Sequence, residues 1–170
     1  MRLIYSIAAC LGVLLSAPAY ALDLPDCVSR PYESDSCSPV VACMPGDGVY
    51  LVGRAIGWNE GTLAGMTNTG VACTGTWRVG QTLRLGHARF SCDDGLAGQM
   101  IYYYQDNETG TARGTGFVSG LGRIRAWSGQ NIVEFLDASG QRVEGDVMCG
   151  ETPMLLSWHH AAASPSAKSR

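Results

Sequence analysis

Between residues 49 and 127 the chain runs in short stretches of alternating apolar and polar positions, interrupted by a glycine every four to ten residues. The stretches are rich in Val, Ile, Thr, Tyr and Trp, which suit a pleated surface that is half buried. This pattern predicts strands over residues 49–56, 61–67, 71–79, 83–92, 98–105, 112–118 and 122–127. The breaks between them carry turn chemistry. Asp93-Asp94-Gly95 offers an Asp-Gly pair that tolerates positive φ, and Asn68-Thr69-Gly70 and Ser119-Gly120 are signals of the same kind. Residues 106–110 read as a longer hairpin loop. Consecutive strands at this spacing predict a mainly β fold, a small antiparallel meander closed as a barrel or a two-sheet sandwich.

The pattern changes on both sides of this region. Residues 22–48 hold Pro25, Pro31, Pro39 and Pro45 with three cysteines and show neither period, so they read as an irregular Cys/Pro-rich N-terminal arm. In residues 130–137 the apolar positions Ile132, Val133, Phe135 and Leu136 fit one face of a short helix, with Ser128 as its cap and Gly140 near its end. One further strand is expected over residues 142–149, completing a β domain of residues 49–149. Residues 150–170 are small and polar and read as a flexible tail, whose start Leu155, Leu156 and Trp158 would dock.

The first 21 residues combine Arg2, an apolar run and the small-residue site Ala19-Tyr20-Ala21. This is the form of a secretory leader cleaved before Leu22. It places the chain in a periplasm or outside the cell. No later segment is long and apolar enough to span a bilayer as a helix.

An exported chain changes the meaning of its cysteines. Beyond Cys10 in the leader there are six: Cys27, Cys37, Cys43, Cys73, Cys92 and Cys149. An even count in an oxidising compartment implies three disulfides, with fifteen connectivities open. Position along the chain favours Cys73 with Cys92, which flank one hairpin, Cys27 with Cys37 across a short loop, and Cys43 with Cys149 between the two ends of the domain. No C-x-x-C pair exists to suggest zinc.

Past the leader, eleven basic residues face fifteen acidic ones, and Lys168 is the single lysine. No basic cluster stands out along the chain, so no nucleic-acid partner is expected. Catalytic patterns are missing too. G-x-S-x-G and an intact G-x-G-x-x-G do not occur. His87 stands alone in a strand, and His159 and His160 are vicinal. A hydrolase built from His87, Asp93 and Asp94 would need the fold to bring them together. No cofactor or metal site is expected. Asn107-Glu108-Thr109 forms an N-x-T sequon in an exposed loop.

Aromatics carry the one suggestion of a binding surface. In Ile101-Tyr102-Tyr103-Tyr104, alternation puts Tyr102 and Tyr104 on one face and Ile101 and Tyr103 on the other. Tyr102 and Tyr104 are the candidates for the face that meets a partner.

Residues 90–135 resemble the bacterial periplasmic inhibitors of C-type lysozyme, small exported β-barrels with a Ser-Gly loop that enters the enzyme cleft. The resemblance rests on Phe90-Ser91-Cys92-Asp93-Asp94-Gly95, on the stretch from Tyr102 to Asp106, and on Ser128-Gly129. It implies that Ser128 and Gly129 would contact a wall-degrading enzyme. The main expectation is an exported, non-enzymatic β domain that binds a partner or serves the cell envelope; the alternatives are the inhibitor and the hydrolase.

Overall fold

The computed structural model describes residues 22–80, 85–106, 111–130, 132, 142–143 and 146–157. Its elements are β1 (Leu22–Asp23), β2 (Cys37–Met44), β3 (Val49–Trp58), β4 (Glu60–Thr67), β5 (Ala72–Val79), β6 (Leu85–Cys92), β7 (Ala97–Asp106), β8 (Thr111–Val118), β9 (Gly122–Ser128), β10 (Arg142–Val143), β11 (Asp146–Cys149), β12 (Thr152–Pro153) and β13 (Leu156–Ser157). Strands β2 to β9 pair antiparallel in sequence order, and β2 pairs with β9, so the meander closes into an eight-stranded barrel. Closure leaves no free edge among these strands.

Seven of the barrel strands start and stop where the alternation predicts, within a residue or two. Three of the turns between them fall at the expected residues, Gly70, Gly95 and Gly120, each at positive φ, while residues 107–110 of the expected longer loop lie outside the described residues. Gly95 (φ 89°) closes the β6–β7 hairpin, where Cys92 N donates to Leu96 O at 2.8 Å and Leu96 N donates to Asp94 Oδ1 at 3.0 Å. The three disulfides are Cys27–Cys37, Cys43–Cys149 and Cys73–Cys92, as expected from position. They fit a chain that folds in an oxidising environment.

The eighth strand, β2, corrects the sequence reading, which put residues 37–44 in an irregular arm. From Pro39 to Met44 every residue is buried. A strand covered on both faces loses its period of two and reads as a plain apolar run. Pro39 sits near the strand's start, where a missing N–H costs least, and its carbonyl accepts from Gly129 N at 3.1 Å. A second correction concerns residues 142–149. They do not make one strand: β10 and β11 pair antiparallel, Arg142 opposite Val147, and β11 then pairs with β12. The helix expected over residues 130–137 lies outside the described residues apart from Gln130 and Ile132. The leader, the sequon and the chain beyond residue 157 also lie outside them.

The lumen is apolar. It is filled by Met44, Ala88, Met100, Tyr102, Val118 and Ile124 among others, with Leu51, Leu63, Trp77 and Phe90 packed against them. Its two largest β6–β7 rings are each flanked by glycine on both neighbouring strands. Phe90 stands in register between Gly75 and Gly98, and Tyr102 between Gly86 and Gly114. At Gly98 an added methyl would run into the Phe90 ring, and at Gly114 it would meet the Tyr102 ring at 3.0 Å. The glycines make the room that the rings fill, which is how a small barrel packs a bulky side chain without a clash.

Outside, one part of the wall is covered. Val41 and Cys43 of β2, Tyr50 and Val52 of β3 and Trp127 of β9 are packed under Leu24, Ile132, Cys149 and Met154. The two ends of the described chain meet over this wall. β1 pairs parallel with β13, Leu22 N donates to Leu155 O at 2.8 Å, and Leu155 N donates to the Tyr50 hydroxyl at 3.0 Å. The start of the expected tail is thus part of the core, although the residue that buries deepest is Met154, while Leu155 stays exposed.

Candidate interaction face

Among the described residues, β4 to β8 and the start of β9 carry no such cover. Antiparallel pairing sets their outward side chains in cross-strand rows. One row runs Thr62, Thr76, Arg89, Gln99, Phe117, Arg123 from β4 to β9. The next runs Glu60, Arg78, His87, Ile101, Thr115, Arg125. Between the two rows lies a furrow of about 1050 Å³. Its floor is the intermediate row of Gly61, Trp77, Ala88, Met100 and Gly116, whose side chains point inward or are absent.

The two rows and their neighbour Arg113 bring five arginines together: Arg78, Arg89, Arg113, Arg123 and Arg125, all exposed. Glu60 is the one acid on these rows. Among the described residues the single ion pair is Arg30 with Asp35, far from this wall in sequence, and none of the five arginine side chains has a hydrogen-bonding or ionic partner. A chain with a formal net charge of −3 therefore gathers on this wall cations that have no side-chain partner among the described residues. Between the arginines of β5–β6 and those of β8–β9 stand Ile101, Tyr103 and Phe117, the last 62% exposed. Adjacent strands are about 4.8 Å apart, so the arc from Arg78 to Arg125 measures roughly 19 Å around the barrel.

Arginines on the outside and apolar side chains in the lumen are the reverse of a membrane-spanning barrel, whose outer band is apolar. Among the described residues no helix is long and apolar enough to cross a membrane.

The structure rearranges the residues singled out from sequence. Tyr102 points into the lumen and is 7% exposed, whereas Ile101 and Tyr103 are 38% and 41% exposed. The exposed face of this strand is the opposite of the one expected. Alternation gives the two faces but not which is inside, and the glycines opposite Tyr102 are what decide it. The Tyr102 hydroxyl has only the Met100 sulfur as neighbour, at 4.0 Å, and burial pushes its phenol above the usual tyrosine range. The side chain of Tyr104 lies outside the described residues; its backbone pairs with Ala112.

Ser128 and Gly129 do not form a protruding loop. Ser128 ends β9 opposite Val40 and Ala112 and is half buried. Gly129 is buried at φ 114°, and a Cβ there would overlap the Thr111 backbone. His87 and the carboxylates of Asp93 and Asp94 also stay apart. His87 is at the middle of β6, while Asp93 and Asp94 sit in the turn beyond Cys92, roughly 20 Å along the strand. Asp94 is engaged with a backbone N–H of its own turn. The hydrolase arrangement is therefore not assembled. Among the described residues no group of three His, Cys, Asp or Glu side chains is placed to hold a metal.

Sequence reading missed the arginine wall because the cations are scattered over 48 positions and never form a run. The signal was parity. In Arg123-Ile124-Arg125-Ala126-Trp127 the arginines alternate with lumen residues, as do Arg78 after Trp77 and Arg89 after Ala88.

No protein-family model matches the chain, and no curated protein matches it. Among solved structures the chain is similar to a de novo designed fluorescence-activating β barrel, with a TM-score of 0.45 and 12% identity over 55% of this chain and 90% of that one.

Proposed function

We propose that this protein is an exported, non-enzymatic binding module, periplasmic or secreted, whose uncovered wall from β5 to β9 holds an anionic component of the cell envelope. The observation that carries this reading is the set of five unpaired, exposed arginines on one wall of an acidic chain. Leaving so many like charges together costs self-repulsion, which a polyanion relieves on binding. Arginine rather than lysine fits the task, since its planar fork grips carboxylate, sulfate or phosphate with two hydrogen bonds. Ile101, Tyr103 and Phe117 add apolar contact between the charges. If the partner is a wall-degrading enzyme, the contact runs through this wall, because Ser128 and Gly129 are packed into the barrel.

The test is binding of the oxidised protein, from Leu22 onward, to dextran sulfate and to neutral dextran across a salt series. The reading expects binding to dextran sulfate alone, weakening steadily with salt. It also expects loss of that binding when Arg78, Arg89, Arg123 and Arg125 are all changed to Gln. Unchanged binding by this variant would reject the wall as the site.

A further inference from the structure

We infer that the ligand of the furrow is an acidic glycan, with one sugar ring stacked on an aromatic platform at the furrow's β4 end. This rests on the anionic reading above and adds the ligand's class.

The platform is the pair Tyr32 and Trp58. The row that begins at Glu60 continues across the β3–β4 turn, because Trp58 is the register partner of Glu60. Tyr32 lies against Trp58 with ring centroids 5.1 Å apart and planes tilted by 48°. Tyr32 is 84% exposed, so its ring is not there to fill a core. Its backbone is in the left-handed region, φ 71°, a conformation that a bulky residue rarely adopts and that tends to persist at functional sites.

The surroundings hold this geometry in place. Cys27–Cys37 closes the ten-residue loop that carries Tyr32. Ser36 Oγ accepts from Arg30 N at 3.0 Å, and Ser36 O accepts from Gly57 N at 2.8 Å, which ties the loop to β3 beside Trp58. Asn59 O accepts from Val79 N at 2.6 Å, which fixes the turn to β5. With Tyr32 exposed and Trp58 half-buried beneath it, a pair preorganised in this way offers an aromatic face to the C–H face of a sugar ring with little entropy left to lose.

Three features of the furrow select the glycan over other polyanions. It curves around the barrel, so a flexible chain can follow it while a flat protein surface meets only part of it. Its volume, about 1050 Å³, is at the upper end for a single small ligand and suits several linked units. Glu60 stands between the platform and the first arginine. The unbroken phosphate run of a single-stranded nucleic acid would meet that carboxylate with like charge. An acidic glycan carries hydroxyl donors on every ring beside its carboxylate and can turn them toward Glu60, and Thr62, Thr76 and Gln99 supply further hydrogen-bonding partners.

The experiment is isothermal titration of the oxidised protein with hexagalacturonate, with maltohexaose and with a ten-nucleotide oligo-dT. The wild type should bind hexagalacturonate at least tenfold more tightly than either of the others. Tyr32→Ala, a change at an exposed ring, should weaken hexagalacturonate at least fivefold and leave the salt dependence unchanged. Arg89→Gln with Arg123→Gln should flatten the salt dependence. Equal affinity for oligo-dT, or no effect of Tyr32→Ala while the arginine changes abolish binding, would overturn the glycan inference and leave the anionic furrow standing. Binding unaffected by the arginine changes would overturn both.

Discussion

The barrel has two outer walls built from the same alternating strands, and they are treated in opposite ways. Over β2, β3 and the end of β9 the outward residues are Val41, Cys43, Tyr50, Val52 and Trp127, and both chain ends fold back to bury them. From β5 to β9 the outward residues are Arg78, Arg89, Arg123, Arg125, Gln99 and Phe117, and nothing in the described chain lies on them. The first wall behaves as a second core, continuous with the stability of the domain. The second makes little stabilising contact and exposes charge that no described side chain neutralises. Substitutions on the two walls should therefore separate stability from binding.

The largest effect is expected at the clasp over the covered wall. Cys43–Cys149 closes a span of 106 residues and pins β11 to β2. Replacing both cysteines with Ala should cost about 4 to 5 kcal/mol on the loop-entropy model, read from urea unfolding. The same change at Cys27 and Cys37, ten residues apart, should cost about 3 kcal/mol or less. Equal costs would mean that the clasp does not bound the fold.

A smaller contrast compares one residue type inside and outside. Phe90→Ala removes a ring packed into the lumen between Gly75 and Gly98 and should cost about 3 kcal/mol. Phe117→Ala, on the uncovered wall, should stay within about 0.5 kcal/mol. The two phenylalanines are read in the same denaturation experiment, and similar losses would undo the assignment of inside and outside.

Next comes the buried phenol. Tyr102 has its ionisation raised by desolvation, so the folded state holds the proton at a pH where the unfolded chain has released it. Stability should be level below about pH 10 and fall as pH rises beyond it. Tyr102→Phe loses only a sulfur contact and should change stability at pH 7 by less than about 1 kcal/mol, while reducing the alkaline fall. An alkaline unfolding curve identical to wild type would place the phenol in water. Smallest of all, Arg89→Gln and Arg123→Gln should leave thermal unfolding within a degree or two, since neither side chain has a partner to lose.

Much of this architecture was legible in the residues. Seven strands and three of their turns follow from period-two patterning and from Asp-Gly, Asn-x-Gly and Ser-Gly signals, and the three disulfides match the pairing that position along the chain favoured among the fifteen open. What was hidden had a common cause: it depends on which side of a strand is covered. β2 looked shapeless because it is covered on both sides. Tyr102 looked like a surface residue because alternation is symmetric until Gly86 and Gly114 are seen opposite it. The arginines looked dispersed because strand pairing, which sequence order does not display, sets them in rows. Residues 142–149 read as one strand because Glu144-Gly145 is neither an Asn-Gly nor an Asp-Gly pair.

The central claim is that the uncovered wall is the binding surface. Backbone amide NMR of the labelled, oxidised protein titrated with dextran sulfate tests it most directly. The account predicts shifts concentrated on the amides of β5 to β9, centred on residues 87–89, 99–103 and 115–125, with Val41, Val52 and Met154 unmoved. Shifts confined to the covered wall and the chain ends, or none at a concentration where the protein binds, would contradict it.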